Sequence, residues 1–329
     1  MQIRDGKAEG GLSMRTKLAT AFTCGALAIG LIARPAQSAV QYYDIYYNLF
    51  YSQTTAAPPL GYFSANFTAR IIAQPGDILT AAFSPLGADP IALSELSPAY
   101  FAFQDNFVTD AQLLNRYTPG PYTFFVTGGF LGNQNGQISR LGAPFWCEAI
   151  PAFTPESFGA MQNVDASRDF SAGFNTFVAP APANVGLTVF AVFDGSNAVA
   201  YIAPLPPDFG SVTIPAGTLA RGHNYVAVLY FSSRIQTATP EFNGTTEIIG
   251  FDRITSAPLI TRRACVGDLN SDGLVDDSDF VLFVVGYNLL DCADPAMPAG
   301  CLADLNVDGS VDDADFVIFV PAYNDLVCP

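Results

Sequence analysis

Two twelve-residue stretches near the end of the chain, DLNSDGLVDDSD at 268–279 and DLNVDGSVDDAD at 304–315, repeat each other 36 residues apart with oxygen-bearing side chains at matching places. Alternate residues of such a stretch converge on one point only if the backbone winds tightly. Glycine at the sixth position of each, Gly273 and Gly309, supplies the conformational freedom for that turn. A hard cation of calcium's size takes about six to eight oxygens, which a loop of this kind can provide. The first loop offers Asp268, Asn270 and Asp272 at positions 1, 3 and 5, the carbonyl of Leu274 at 7, Asp276 at 9 and Asp279 at 12. The second offers Asp304, Asn306, Asp308, Ser310, Asp312 and Asp315 in the same order. The expectation is two calcium sites, with Val275 and Val311 at position 8 facing each other between the loops.

Both loops end in Asp where the EF-hand pattern has a bidentate Glu. The segment ITSAPLITRRACVG before the first loop carries Pro258, Gly267 and several β-branched residues, so it does not read as a helix. Each repeat is a loop followed by a helix, half of an EF-hand. In this the repeats resemble the dockerin domain, a duplicated calcium-loop-and-helix module found at the ends of secreted bacterial proteins. The resemblance covers about residues 265–329 of a terminal domain placed at 263–329. It implies docking onto a cohesin-like receptor, and so attachment to a complex or a cell surface. Dockerins that bind the best-known cohesins often have Ser-Thr at positions 10 and 11, with basic residues further along the helix. Here the positions read Asp277-Ser278 and Asp313-Ala314, and the helices DFVLFVVGYN and DFVIFVPAYN hold no Lys or Arg. A cohesin-like partner would therefore differ from the familiar type.

Phe280, Phe283, Val284 and Tyr287 recur at helical spacing, as do Phe316, Phe319, Val320 and Tyr323, giving each helix an apolar stripe for a small core between the repeats. Val281, Leu282 and Val285 in one helix and Val317 and Ile318 in the other make the remaining face apolar too, and a module this small cannot bury both. The surplus points to a partner, either another protein or the preceding domain. Pro321 predicts a bend or an end in the second helix.

Cys265, Cys292, Cys301 and Cys328 bracket the repeats with the same period. If the two helices pack antiparallel, Cys265 pairs with Cys328 and Cys292 with Cys301; pairing within each repeat is the competing arrangement. Cys147 stands alone in the body as a buried thiol or a site of intermolecular pairing. Arg15 and Lys17, the apolar run LATAFTCGALAIGLIA and the small residues AQSA at 36–39 have the layout of a secretory signal, so 1–39 is read as a signal peptide with an extended leader. The run is too short for a membrane anchor. These features together place the protein outside the cell or on its surface. Of the formal charge of −16, the part from residue 265 onward contributes 13 acidic residues and no basic ones, which argues against nucleic acid as a partner.

Residues 40–262 alternate aromatic and β-branched runs with Gly, Pro, Asn and Asp clusters, the texture of strands and turns. Only TDAQLLNRY at 109–117 looks helical. SVTIPAGTLARGHNYVAVLYF at 211–231 reads as strand, turn and a second strand entered at Tyr225, resembling the tyrosine corner of immunoglobulin-like and fibronectin type III sandwiches; Gly120 and Tyr122 are placed similarly in an earlier segment. The expected architecture is mostly β: two consecutive sandwiches of this type at 40–150 and 151–262, then the small α-helical module with its EF-hand-type loops.

The body offers little chemistry. His223 is the only histidine and falls in a turn. Asp105, Asp110, Glu148, Glu156, Asp165, Asp169 and Asp194 supply carboxylates, as glycoside hydrolysis requires, but no two share a catalytic context. No catalytic residue is assigned and the chain is read as non-catalytic, a secreted structural or adhesive protein. A carbohydrate-binding role in a polysaccharide-degrading system, through tyrosines such as Tyr42, Tyr43, Tyr46, Tyr47 and Tyr51, is the alternative, with a glycoside hydrolase behind it.

Overall fold

The computed structural model describes residues 40–85, 87–139, 142–201, 204–261, 266–270, 272–298, 301–306 and 308–325. The expected signal segment and the cysteines at 265 and 328 lie outside the described residues. The body is mostly strand. β1 (Val40–Ser52), β2 (Ser64–Ala73), β3 (Thr80–Pro85), β4 (Ile91–Ser97) and β5 (Tyr100–Phe107) lead to α1 (Asp110–Arg116), β6 (Tyr122–Thr127), β7 (Gln134–Ile138) and α2 (Pro155–Ala160). β8 (Phe170–Gly173), β9 (Val185–Asp194), β10 (Asn197–Tyr201), β11 (Ser211–Ile214), β12 (Asn224–Thr239) and β13 (Thr245–Ile260) complete it. α3 (Asp277–Leu289) and α4 (Asp313–Asp325) follow the acidic loops. α1 is the helix expected at 109–117, and Thr109 and Gln112 form its capping box.

The body is not divided near residue 150. Strands β10-β9-β12-β13-β1-β2-β5-β4-β3-β6-β7 follow one another in a single 11-stranded sheet. β1 runs parallel to β13, from Tyr42 opposite Thr246 to Ser52 opposite Ser256, and antiparallel to β2. The first strand therefore sits beside the last, and the two expected sandwiches share one sheet. Periodicity along the chain reports which face of a strand is buried, not which distant strand lies beside it. The limit of the C-terminal domain also differs from the expected 263. The described chain forms two compact units, one from residues 40–160, 171–213 and 225–258 and the other from 161–170, 214–224 and 259 onward. In the second unit Val164 N donates to Ile260 O at 2.9 Å and Gly217 N to Ala166 O at 2.8 Å.

Within the first unit the sheet folds over itself. β6 lies five places from β1 in strand order, yet Phe124 of β6 meets Tyr43 of β1 edge-on with ring centroids 5.3 Å apart. Tyr43, Tyr47 and Tyr51 project from one face of β1 into this core and are at most 1% exposed. Tyr122 donates its hydroxyl to Thr118 O at 2.9 Å, a corner-like bond to upstream backbone. The hairpin expected from 211 to 231 does not form, because β11 pairs with β8 in a separate two-stranded sheet.

The other face of β1 carries Asp44, Tyr46, Asn48 and Phe50. Arg70, directly across in β2, donates two parallel hydrogen bonds to Asp44 at 2.8 and 2.7 Å. The Tyr46 ring lies between the guanidinium carbons of Arg70 and Arg234, 4.7 and 5.2 Å from its centroid. Across from it in β13 is Gly250, where a Cβ would lie 2.2 Å from two carbons of that ring. Ser232 joins the next pair of charges, donating to Asp252 at 2.5 Å and accepting from Arg234 Nε at 2.6 Å.

Gly250→Ala should destabilise the protein by about 1–3 kcal/mol, since the ring that would have to move is held on both sides. In urea denaturation, Tyr46→Ala in the same chain should recover part of that loss; costs that simply add would show that the ring is not the obstacle.

Candidate functional site

Each acidic loop is wound by its own hydrogen bonds, and the two wind alike. Gly273 and Gly309 have φ of +92° and +93°, the left-handed region that the sixth position was expected to need. Asp268 accepts from the amides of Asp272 and Gly273 at 3.1 and 3.0 Å; Asp304 accepts from Asp308 and Gly309 at 3.1 and 2.9 Å. Asp279 is fully buried and accepts three amides, Leu269 at 2.6 Å, Asn270 at 2.9 Å and Asp276 at 3.0 Å. Asp315 is equally buried and takes Leu305, Asn306 and Asp312 at 2.7, 3.1 and 2.9 Å. Asp276 caps α3 through Ser278 N, and Asp312 receives Ala314 N at the start of α4, both at 2.8 Å.

In the first loop this winding brings carboxylate oxygens of Asp268, Asp272 and Asp279 within 4.8 Å of one another. Asn270 donates to Asp272 at 2.8 Å and Asn306 to Asp308 at 2.9 Å, so the side chains at positions 3 and 5 are also neighbours in both loops. Leu274 and Ser310 stand at position 7, where only the carbonyl was expected to serve. The donors are all oxygens, the set a hard divalent cation prefers, and three carboxylates so close repel unless a cation lies between them. Cys292, Cys301 and Asp304 also converge, but the two sulfurs are joined in a disulfide with Cα atoms 5.4 Å apart. That is one of the two bridges favoured for antiparallel helices; its counterpart, Cys265 with Cys328, lies outside the described residues.

The helices do pack antiparallel. Phe283 and Phe319 stack at 4.9 Å at the centre, and Phe280 near the start of α3 meets Tyr323 near the end of α4 at 5.8 Å. The expected stripe is only partly buried: Phe283 and Phe319 are 2% and 1% exposed, while Phe280 and Phe316 are both 40% exposed. α4 continues through Pro321 to Asp325, so the helix does not end there; Phe319 before the proline and Tyr323 after it both pack on the other helix, against Phe283 and Phe280. Val275 and Val311 are both fully buried in the shared core. The backbone partner of Val311 is Leu290, with N to O at 2.8 Å, so the second loop is stitched to the segment leaving α3. Gly286 is required on α3, since a Cβ there would lie 2.7 Å from that of Ala303.

Sequence reading missed two contacts between the repeats. Tyr287 donates its hydroxyl to Asp313 at 2.6 Å and Tyr323 donates to Asp277 at 2.5 Å. Hydrogen bonding to these carboxylates raises both phenols above their ordinary value. Spacing along one helix identified the tyrosines as core residues and gave no sign of the partner across the pair.

In the body, four candidate carboxylates have local structural partners: Asp105 with Tyr117, Asp110 with Tyr62, Asp165 with Ser167 and Asp169 with Ala216 N. His223 binds Thr261 through its backbone amide. Cys147 is a buried free thiol whose pKa burial pushes up to about 12. Among the described residues no helix is long and apolar enough to cross a membrane.

No protein-family model matches the chain, and no curated protein matches it either. Among solved structures, the FN1-FN3 domains of chicken CNTN1 align with 69% of this chain and 66% of that one, at 10% identity and a TM-score of 0.23. The BSP domain of a biofilm-associated protein aligns with 65% of this chain at 11% identity and a TM-score of 0.18. The chain spans just under two thirds of the first protein and 29% of the second.

Asp279→Ala strands three loop amides, one buried and two half-buried, and should cost about 2–3 kcal/mol. In chelator, hydrogen exchange at Leu269, Asn270 and Asp276 should speed up while the same positions of the second loop keep their rates. Cys147 should resist alkylation between pH 7 and 9 in the folded protein, because a thiol with a pKa of about 12 is almost wholly protonated there, and it should react once urea exposes it.

Proposed function

We propose that this is a secreted, non-catalytic structural or adhesive protein whose two acidic loops each bind calcium and whose C-terminal helices, ordered by the metal, dock onto an extracellular protein. The observation that carries the metal reading is the convergence of Asp268, Asp272 and Asp279 within 4.8 Å, in a loop whose hydrogen bonds the second loop repeats. When bound, calcium would offset the repulsion among these carboxylates and tie the loop to the first turn of the helix. Asp268, Asn270, Asp272, the Leu274 carbonyl, Asp276 and Asp279 would hold one ion. Asp304, Asn306, Asp308, the residue at Ser310, Asp312 and Asp315 would hold the other.

Docking draws support from the outer faces of the helices, where Val281, Val285 and Val317 are 61%, 42% and 69% exposed. The receptor would be cohesin-like in the sense that it takes a paired calcium-loop module, and its contact surface would be apolar. The alternative of sugar stacking on the first strand loses most of its residues, since Tyr43, Tyr46, Tyr47 and Tyr51 are at most 4% exposed.

Calorimetric titration of the full-length protein should find two calcium ions, falling to one in Asp268→Ala and in Asp304→Ala. A pull-down from the native secretome should recover a protein partner with calcium and lose it with chelator. Fewer than two ions would sink the metal reading, and calcium binding without a partner would sink the docking.

A further inference from the structure

The two repeats are locked together at matching places. Asp277 and Asp313 follow the capping residues Asp276 and Asp312 and precede the buried Asp279 and Asp315 by two positions. Each therefore sits on the first helical turn, between two residues that the proposed metal loop uses. The tyrosine that holds it comes from the other repeat: Tyr323 of α4 reaches Asp277, and Tyr287 of α3 reaches Asp313. That turn gathers several carboxylates and, like any helix start, has amides without intrahelical partners. Fixing its carboxylate at position 10 from outside fixes the direction of the residues at 9 and 12. The tyrosine rings are already seated, Tyr287 6.0 Å from Phe283 and Tyr323 5.7 Å from Phe319, so the hydroxyl adds direction to contacts that the ring makes anyway.

We propose that Tyr287 and Tyr323 are positioning residues for the metal loop of the opposite repeat: Tyr287 sets the second loop and Tyr323 the first. This rests on the calcium reading above. The clasp also occupies one oxygen of each position-10 carboxylate, leaving the valine faces of the helices as the more available surface for a partner.

Phenylalanine tests the hydroxyl alone, because it keeps the ring. In the full-length protein with both loops intact, Tyr287→Phe should split the calcium titration into one site of unchanged affinity and one weakened about 5-fold, the loss expected for an exposed hydrogen bond to a carboxylate. Amide exchange on adding calcium should assign the weakened site to residues 304–315. Tyr323→Phe should weaken 268–279 instead, and the double variant both. Equal weakening of both loops in each single variant would mean that the tyrosines only support helix packing, and unchanged affinities would mean that the hydroxyls do nothing; either overturns the inference while leaving the calcium sites in place. Absence of calcium binding by the unaltered protein would remove both.

Discussion

The parallel pairing of β1 with β13 sets the conditions for the rest of the body. A strand with hydrogen-bonded neighbours on both edges and packing on both faces has no solvent side on which to place polar groups. The tyrosines of one face can be absorbed by a folded-over sheet, but Asp44 on the other must find a partner, and Arg70 stands directly across from it. Asp252 of β13 raises the same demand one strand away and meets it through Ser232 and Arg234. Between these two charge pairs Tyr46 has space only because Gly250 has no side chain. The central strand pair thus makes the polar network, the glycine and the ring arrangement necessary to one another.

Legibility followed the range over which residues act. The loops were readable because a glycine of positive φ, alternating oxygens and a capping Asp all act within a dozen residues. α1 was readable from the run TDAQLLNRY, and the strands from turn residues and β-branched runs. What failed needed knowledge of distant neighbours. The position of β1 depends on residues near 250, and a charged residue inside a strand says nothing about whether an opposite charge waits across the sheet. Pro321 was read from its local cost alone, whereas the helix around it is held by contacts with the other repeat. The phenol-to-carboxylate bonds share that character, since both members had unremarkable local explanations.

The acidic module shows opposing tendencies within a few ångströms. Fully buried Asp279 and Asp315 satisfy backbone amides and wind the loops, yet the same winding crowds Asp268, Asp272 and Asp279. A carboxylate that accepts three amides is well accommodated on its own; three carboxylates at close range are not. The Cys292–Cys301 bridge and the bond from Val311 to Leu290 act on the second loop independently of charge, holding it against the end of α3. The two loops therefore share a hydrogen-bond pattern while differing in how firmly the described residues hold them to the helix pair.

The adjacency of β1 and β13 also orders events in time. Among the described strands β1 is made first, but its neighbour at 245–260 follows only when the body is nearly finished. Until then one long edge, rich in tyrosine, has nothing native to pair with, and any other extended chain nearby competes for it. A body closed by its last strand therefore leaves the outer edge of its first strand open until the whole body has been made.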